Sequence, residues 1–158
     1  MFIPVMGAVA ALGIGGATLS QAGSAQALPP LKTQATPAAV VKEHLAALNA
    51  CDWNRLMAQY PPSMHFFLPG GVVDIGRASV GKLFAGFCKT RAQKGFKGIK
   101  FTSHIVQTVG DTISVQWVAT APFMKPYKGA DAYITKNGLM YAQVTTFGAP
   151  PPVFTDGK

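Results

Sequence analysis

Two hydrophobic rhythms run along the chain, and the change from one to the other falls near Gly98. Before it, apolar positions recur three and four residues apart. Val41, His44, Leu45 and Leu48 fall on one helical face. Thr36-Pro37 supplies an N-cap and a proline at the first helical position, so a helix is predicted over 37–50. Asn49-Ala50-Cys51 breaks it. Asp52 then caps a second short helix over 53–60, with Leu56, Met57 and Tyr60 on one side. Pro61-Pro62 stops that helix, because proline lacks the amide donor and clashes with the preceding turn. A candidate strand over 64–68, a turn at Pro69-Gly70-Gly71 and a small paired strand at Val72-Val73 come next. A third helix is predicted over 79–92, with Val80, Leu83, Phe84 and Phe87 inward and Gly81 and Gly86 weakening it slightly. Residues 93–98 read as a basic loop.

After Gly98 the period becomes two. Strands are predicted over 100–109 and 112–121, joined by Gly110-Asp111; Ile113, Val115 and Trp117 alternate onto one face of the second. An irregular aromatic connection over 122–127 leads to a strand over 129–135. Lys136-Asn137-Gly138 is a hairpin turn, Asn-Gly being among the strongest short-range signals for one. The last strand covers 139–147. Residues 148–158, with Pro150, Pro151 and Pro152 in a row, read as a tail. Three helices followed by an antiparallel meander give an α+β fold, the helices covering one apolar sheet face.

Residues 1–27 stand apart from this domain. Their apolar stretch ends in Ser24-Ala25-Gln26-Ala27, the small-x-small pattern of an export signal, although no Lys or Arg precedes the stretch. Glycines interrupt it, which favours a cleaved signal over a stable membrane helix. A periplasmic or secreted protein is expected, with a flexible lead-in over 28–36 and the folded domain over 37–147. All charged residues lie after the leader, so that part carries the whole net charge of +8. Lys82, Lys89, Arg91, Lys94, Lys97 and Lys100 form a basic run that favours anionic partners or simply solvates a face. Only Phe96 interrupts it, and no motif spacing supports nucleic-acid binding. Two readings stand for Cys51 and Cys88: a disulfide, as an exported chain permits, or a buried thiol at Cys88, which follows Phe84 and Phe87 on an apolar helix face. Neither has a neighbour at metal-ligand spacing.

Candidate chemistry rests on a few polar residues in apolar surroundings. His44 sits within the apolar face of the first helix, either as general base or oxyanion donor, or as a core-edge histidine bonded to a backbone carbonyl. Asp131 shares a strand face with Tyr133. In an apolar cavity its pKa would rise, leaving a neutral acid that donates a hydrogen bond; paired with His44 it would instead orient the imidazole; at a solvated strand end it would do neither. His65 shares strand parity with Phe67 and faces either a pocket or solvent. Tyr60, Trp117, Phe123 and Tyr133, with Trp53, Tyr127 and Met140, can wall a flat apolar ligand or simply pack a core. No dinucleotide fingerprint, phosphate loop, nucleophile elbow or His-Glu-x-x-His is present, so no cofactor and no metal are expected.

The order of several short words resembles the nuclear-transport-factor-2-like superfamily, in its ketosteroid-isomerase and polyketide-cyclase-like branches. These words are His44-Leu-Ala-Ala-Leu-Asn-Ala-Cys-Asp52, Phe67-Leu68-Pro69-Gly70, Gly76-Arg-Ala-Ser-Val80, and Gly129-Ala-Asp-Ala-Tyr133 with Asn137-Gly-Leu139. The resemblance implies a cone in which a curved mixed sheet wraps three helices around a pocket. It places the isomerases' carboxylate base on Leu68, their oxyanion-hole tyrosine on His44 and their protonated aspartic acid on Asp131. The carboxylic acid is thus kept, the phenol becomes an imidazole and the base is lost; the residues of limonene-epoxide hydrolases have no counterpart. The expected function is that of an exported binding protein, whose apolar pocket, lined in part by Leu68, is polarised by His44 and Asp131 and takes an apolar or aromatic small molecule, anionic ones included. One alternative is a cofactor-independent isomerase, lyase or cyclase using His44 for proton transfer. Another is a structural module with a filled cone. The resemblance also implies a homodimer through the outer sheet face.

Overall fold

The computed structural model describes residues 26–156. Most of the leader assigned to 1–27 therefore lies outside the described residues. The element order is α1 (Pro37–Ala50), α2 (Trp53–Met57), β1 (His65–Leu68), β2 (Val72–Ile75), α3 (Arg77–Phe87), a 3-10 turn (Arg91–Gln93), β3 (Lys100–Val109), β4 (Thr112–Ala121), β5 (Met124–Lys136) and β6 (Leu139–Phe147). The strands form one curved six-stranded sheet in the order β2-β1-β6-β5-β4-β3. Only the β1–β6 pairing is parallel, so the sheet is mixed.

The local signals act as their chemistry dictates. The Thr36 hydroxyl accepts from the Ala39 amide and Pro37 opens α1. Asp52 accepts from the Arg55 amide and starts α2. The inward faces of the helices meet the sheet in one core that includes Val40, Leu56, Met57, Tyr60, Phe66, Val80, Phe84, Ile113, Val115 and Tyr133. α3 begins two residues earlier than expected and ends at Phe87. The Cys51 and Cys88 sulfurs are bonded to one another, with their Cα atoms 5.5 Å apart. The bridge ties the C-terminal end of α1 to that of α3, which settles the pair in favour of the disulfide.

Three stretches expected to be irregular are structured. β5 starts at Met124, so most of 122–127 is strand rather than loop. The lead-in is pinned: the Lys32 amide donates to Ala58 O at 2.8 Å, the Gln34 amide to Gly138 O at 2.9 Å, and Arg77 bonds the carbonyl of Pro29. The C-terminal tail folds back along the start of β5. Met124 and Phe154 form an antiparallel bridge, the Lys125 amide donates to Val153 O at 2.9 Å, and the Thr155 amide to Phe123 O at 2.8 Å.

Candidate functional site

Between the open end of the sheet and α3 lies a cavity of about 430 Å³. Its walls are mostly apolar: Leu48 of α1, Phe66 and Leu68 of β1, Leu83, Phe84 and Phe87 of α3, Phe101 of β3, Trp117 of β4 and Phe147 of β6. Three polar side chains, Asp131, Gln143 and Thr145, come from the inner face of β5 and β6. Lys89, Gln93 and Lys94, from the segment after α3, stand among the lining residues as well.

Register explains the polar trio. Asp131 faces Thr145 across the β5–β6 ladder and Tyr133 faces Gln143, while Val115 of β4 lies beside Asp131 on the other side. Directly opposed residues point the same way, so all of these project toward the helices. A shift of register between Ile134 and Thr135 is what turns Gln143 and Thr145 inward. Before the bulge the buried positions of β6 include Met140; after it they include Gln143 and Thr145. Strict alternation from the Asn137-Gly138 turn would not find them, and both were missed in the sequence. Gly129 is opposite Trp117. A Cβ there would run into the Trp117 ring and crowd the Thr146 carbonyl, so the glycine makes room for the indole that forms a cavity wall.

Asp131 is buried, and its two oxygens differ. Oδ2 accepts a hydrogen bond from the Tyr133 hydroxyl at 2.6 Å. Oδ1 has no partner. The Trp117 indole and the Thr145 hydroxyl lie close enough to favour the ionised carboxylate, although neither completes a well-formed hydrogen bond to it. Burial outweighs them and the Tyr133 bond, and raises the carboxyl pKa above its ordinary value. Oδ1 is thus the carboxyl oxygen that the Tyr133 hydroxyl leaves free.

His44 is fully buried, but it lies behind the cavity rather than in its wall. Nδ1 is 3.0 Å from the Tyr60 hydroxyl, and Nε2 has no partner among the described residues. The rings of Tyr133, Phe84 and Tyr60 surround it at 5.3, 6.1 and 6.1 Å. Burial depresses its pKa to about 3, so the imidazole is neutral at ordinary pH. Tyr60 and Tyr133 are held well above the usual phenol range, by burial first and then by the nearby Asp131. His44 and Asp131 therefore do not form a hydrogen-bonded pair. Each is bonded to a tyrosine, and the two tyrosines belong to the core between them.

Of the remaining candidates, Leu68 and Trp117 line the cavity, while Tyr60 and Tyr133 lie outside its wall. His65 and Phe123 are placed elsewhere. His65 donates from Nδ1 to the Ser63 carbonyl at 2.8 Å and stacks on Phe67, because both project to the side of β1 away from buried Phe66. Phe123 packs under the Arg91 guanidinium at 5.1 Å, in the turn between β4 and β5.

The profile of the SnoaL-like domain matches residues 41–146. No curated protein matches the chain. Among solved structures, an NTF2-like protein of unknown function from Cytophaga hutchinsonii is similar, with 17% identity and a TM-score of 0.59 over 75% of this chain and 95% of that one. A proposed ketosteroid isomerase from Kribbella flavida shares 17% identity, with a TM-score of 0.55 over 73% and 82% of the two chains. TerC, crystallised with polyporic acid, shares 13% identity with a TM-score of 0.58 over 71% and 91%. At these identities the likeness is one of fold. With the domain match spanning most of the folded region, the chain belongs to the SnoaL-like family of the NTF2-like superfamily.

Proposed function

We propose that this protein binds an apolar, ring-bearing small molecule in the cone and fixes one polar group of that molecule on Asp131. The observation that carries this reading is the buried carboxyl of Asp131, its Oδ1 unpartnered among the described residues, on a residue that lines an otherwise mostly apolar cavity of about 430 Å³. A buried polar atom left unpaired costs free energy, and a ligand hydroxyl or carbonyl relieves that cost. The volume lies in the range of ordinary small-molecule sites. Lys89 and Lys94 suit an acidic substituent at the rim, in keeping with the co-crystallisation of TerC with polyporic acid.

Binding is favoured over proton-transfer catalysis by the position of His44. A neutral imidazole behind the wall, with its Nδ1 engaged by Tyr60, is not placed to take a proton from a molecule in the cavity. Leu68, where the isomerases' base would fall, cannot take one. Export remains part of the proposal, supported by the Cys51–Cys88 bridge, which suits an oxidising compartment. So does a homodimer through the outer sheet face, where Phe67, Val73 and Val144 are exposed and adjacent in register.

Titration with 2-naphthol, followed by its fluorescence, tests the ligand reading. Wild-type protein is expected to bind saturably, Asp131→Ala about tenfold more weakly, and Leu83→Trp, which fills the cavity, not at all. Equal binding by all three proteins would place the ligand elsewhere and sink the proposal.

A further inference from the structure

A second hollow, of about 380 Å³, shares Phe87, Phe96, Phe101 and Phe147 with the Asp131 cavity. Its other walls are Ile99, Ala119, Met124 and Tyr127, with Pro152 and Phe154 from the C-terminal segment. The one hydroxyl among them, that of Tyr127, is taken up by the Gly148 carbonyl at 2.7 Å. The lobe therefore offers a polar group nothing to bond, and its lining suits an apolar guest.

The C-terminal segment that borders this lobe is a strap fastened at several points. Backbone bonds join it to β5, and Arg91 forms an ion pair with Asp156 at 2.7 Å. The same guanidinium lies 4.6 Å over the ring of Phe154 and 5.5 Å from that of Phe96. Arg91 thus joins the strap to the segment after α3, which supplies Lys89, Gln93 and Lys94 to the first cavity.

We propose that the two lobes form one bipartite site for an elongated amphipathic ligand: its polar ring sits at Asp131, and an aliphatic or aryl extension passes the four shared phenylalanine rings into a lobe bordered by Pro152 and Phe154 of the C-terminal strap. The strap is then the part of the chain that sets ligand length, with Ala119 and Phe154 as specificity-determining positions. This inference rests on the Asp131 reading and names the second half of its ligand.

A series of 4-n-alkylphenols from ethyl to octyl, titrated against the intact protein by calorimetry, provides the test. Each added methylene is expected to tighten binding roughly fourfold, the factor that follows from burying one CH₂, and the gain should continue through hexyl. Ala119→Phe, which fills the second lobe, should bind ethylphenol as wild type does and lose the gain beyond propyl. Phe154→Ala should blunt the same gain, with its fold checked by circular dichroism. A wild-type series that levels off at propyl overturns the bipartite site, and so does a slope unchanged in both variants; either result leaves the Asp131 cavity standing. No binding of ethylphenol by wild type overturns the Asp131 reading and this inference with it.

Discussion

At the scale of single residues, the protein keeps ionisable groups where charge is costly, and that makes its stability depend on pH. Folded His44 has a pKa of about 3, against roughly 6.5 unfolded. The unfolded chain binds the extra proton between those values, so this group's contribution is fully present above pH 6.5 and is lost as pH falls toward 3. The loss is on the order of 5 kcal/mol. Asp131 acts in the opposite sense: its raised pKa favours the fold at low pH, and the advantage fades as pH rises above the unfolded value. Urea denaturation at a series of pH values should show stability falling on acidification below pH 6.5. His44→Gln should flatten or reverse that slope. A slope unchanged by the substitution would mean that His44 is solvated or charged in the native protein. Gly129 gives a second prediction at this scale. Gly129→Ala should destabilise by about 1–3 kcal/mol, through strain where the Trp117 indole lies, and should shift the tryptophan emission; a native-like spectrum and melting point would argue against the contact. His44 and Asp131 were legible as unusual because each interrupts an apolar pattern. The neighbourhood of Asp131 and Tyr133 was legible too, because residues two apart on a strand project the same way, but the Tyr60 partner of His44 was not, because residues 16 positions apart meet only through the fold.

Among the elements, caps and turns were readable and departures from ideal geometry were not. Thr36, Asp52 and Asn137-Gly138 act within a few residues of themselves, so sequence alone locates them. The bulge that turns Gln143 and Thr145 inward has no such local mark, and two of the three polar side chains that the sheet gives the cavity were hidden with it. The three prolines at 150–152 suggested a tail because proline cannot continue a regular ladder. The pairing residues, Val153 to Thr155, simply follow them. The disulfide is the strongest link between elements that the sequence left open. It closes a loop of 37 residues. Chain-entropy arguments put the stabilisation from a loop of that size at about 4 kcal/mol. Cys51→Ala/Cys88→Ala should lower the melting temperature by more than 10 °C without changing the fold seen by circular dichroism. An unchanged melting temperature would show that the bridge is not formed in solution.

For the molecule as a whole, the fold class followed from the switch of hydrophobic period at Gly98, and the cone from the order of family words. Neither said whether the cone was full. Side chains decide that: the base of the cone is packed by Tyr60, Tyr133 and Met140, while the end toward α3 stays open. The proposed dimer belongs to this scale. Phe67, Val73 and Val144 stand side by side on the outer face. Sedimentation should give a dimer for the wild type and a monomer for Val144→Lys; a monomeric wild type would remove the assembly from the proposal.

The bridge between Cys51 and Cys88 has a consequence for traffic through the site. With the ends of α1 and α3 stapled together, the helical rim beside the cavity is not free to spread, and the proposed guest meets an opening of fixed width. Reduction would let that rim loosen. A reduced protein should therefore release its guest faster while holding it in the same place, a leakier vessel of the same shape.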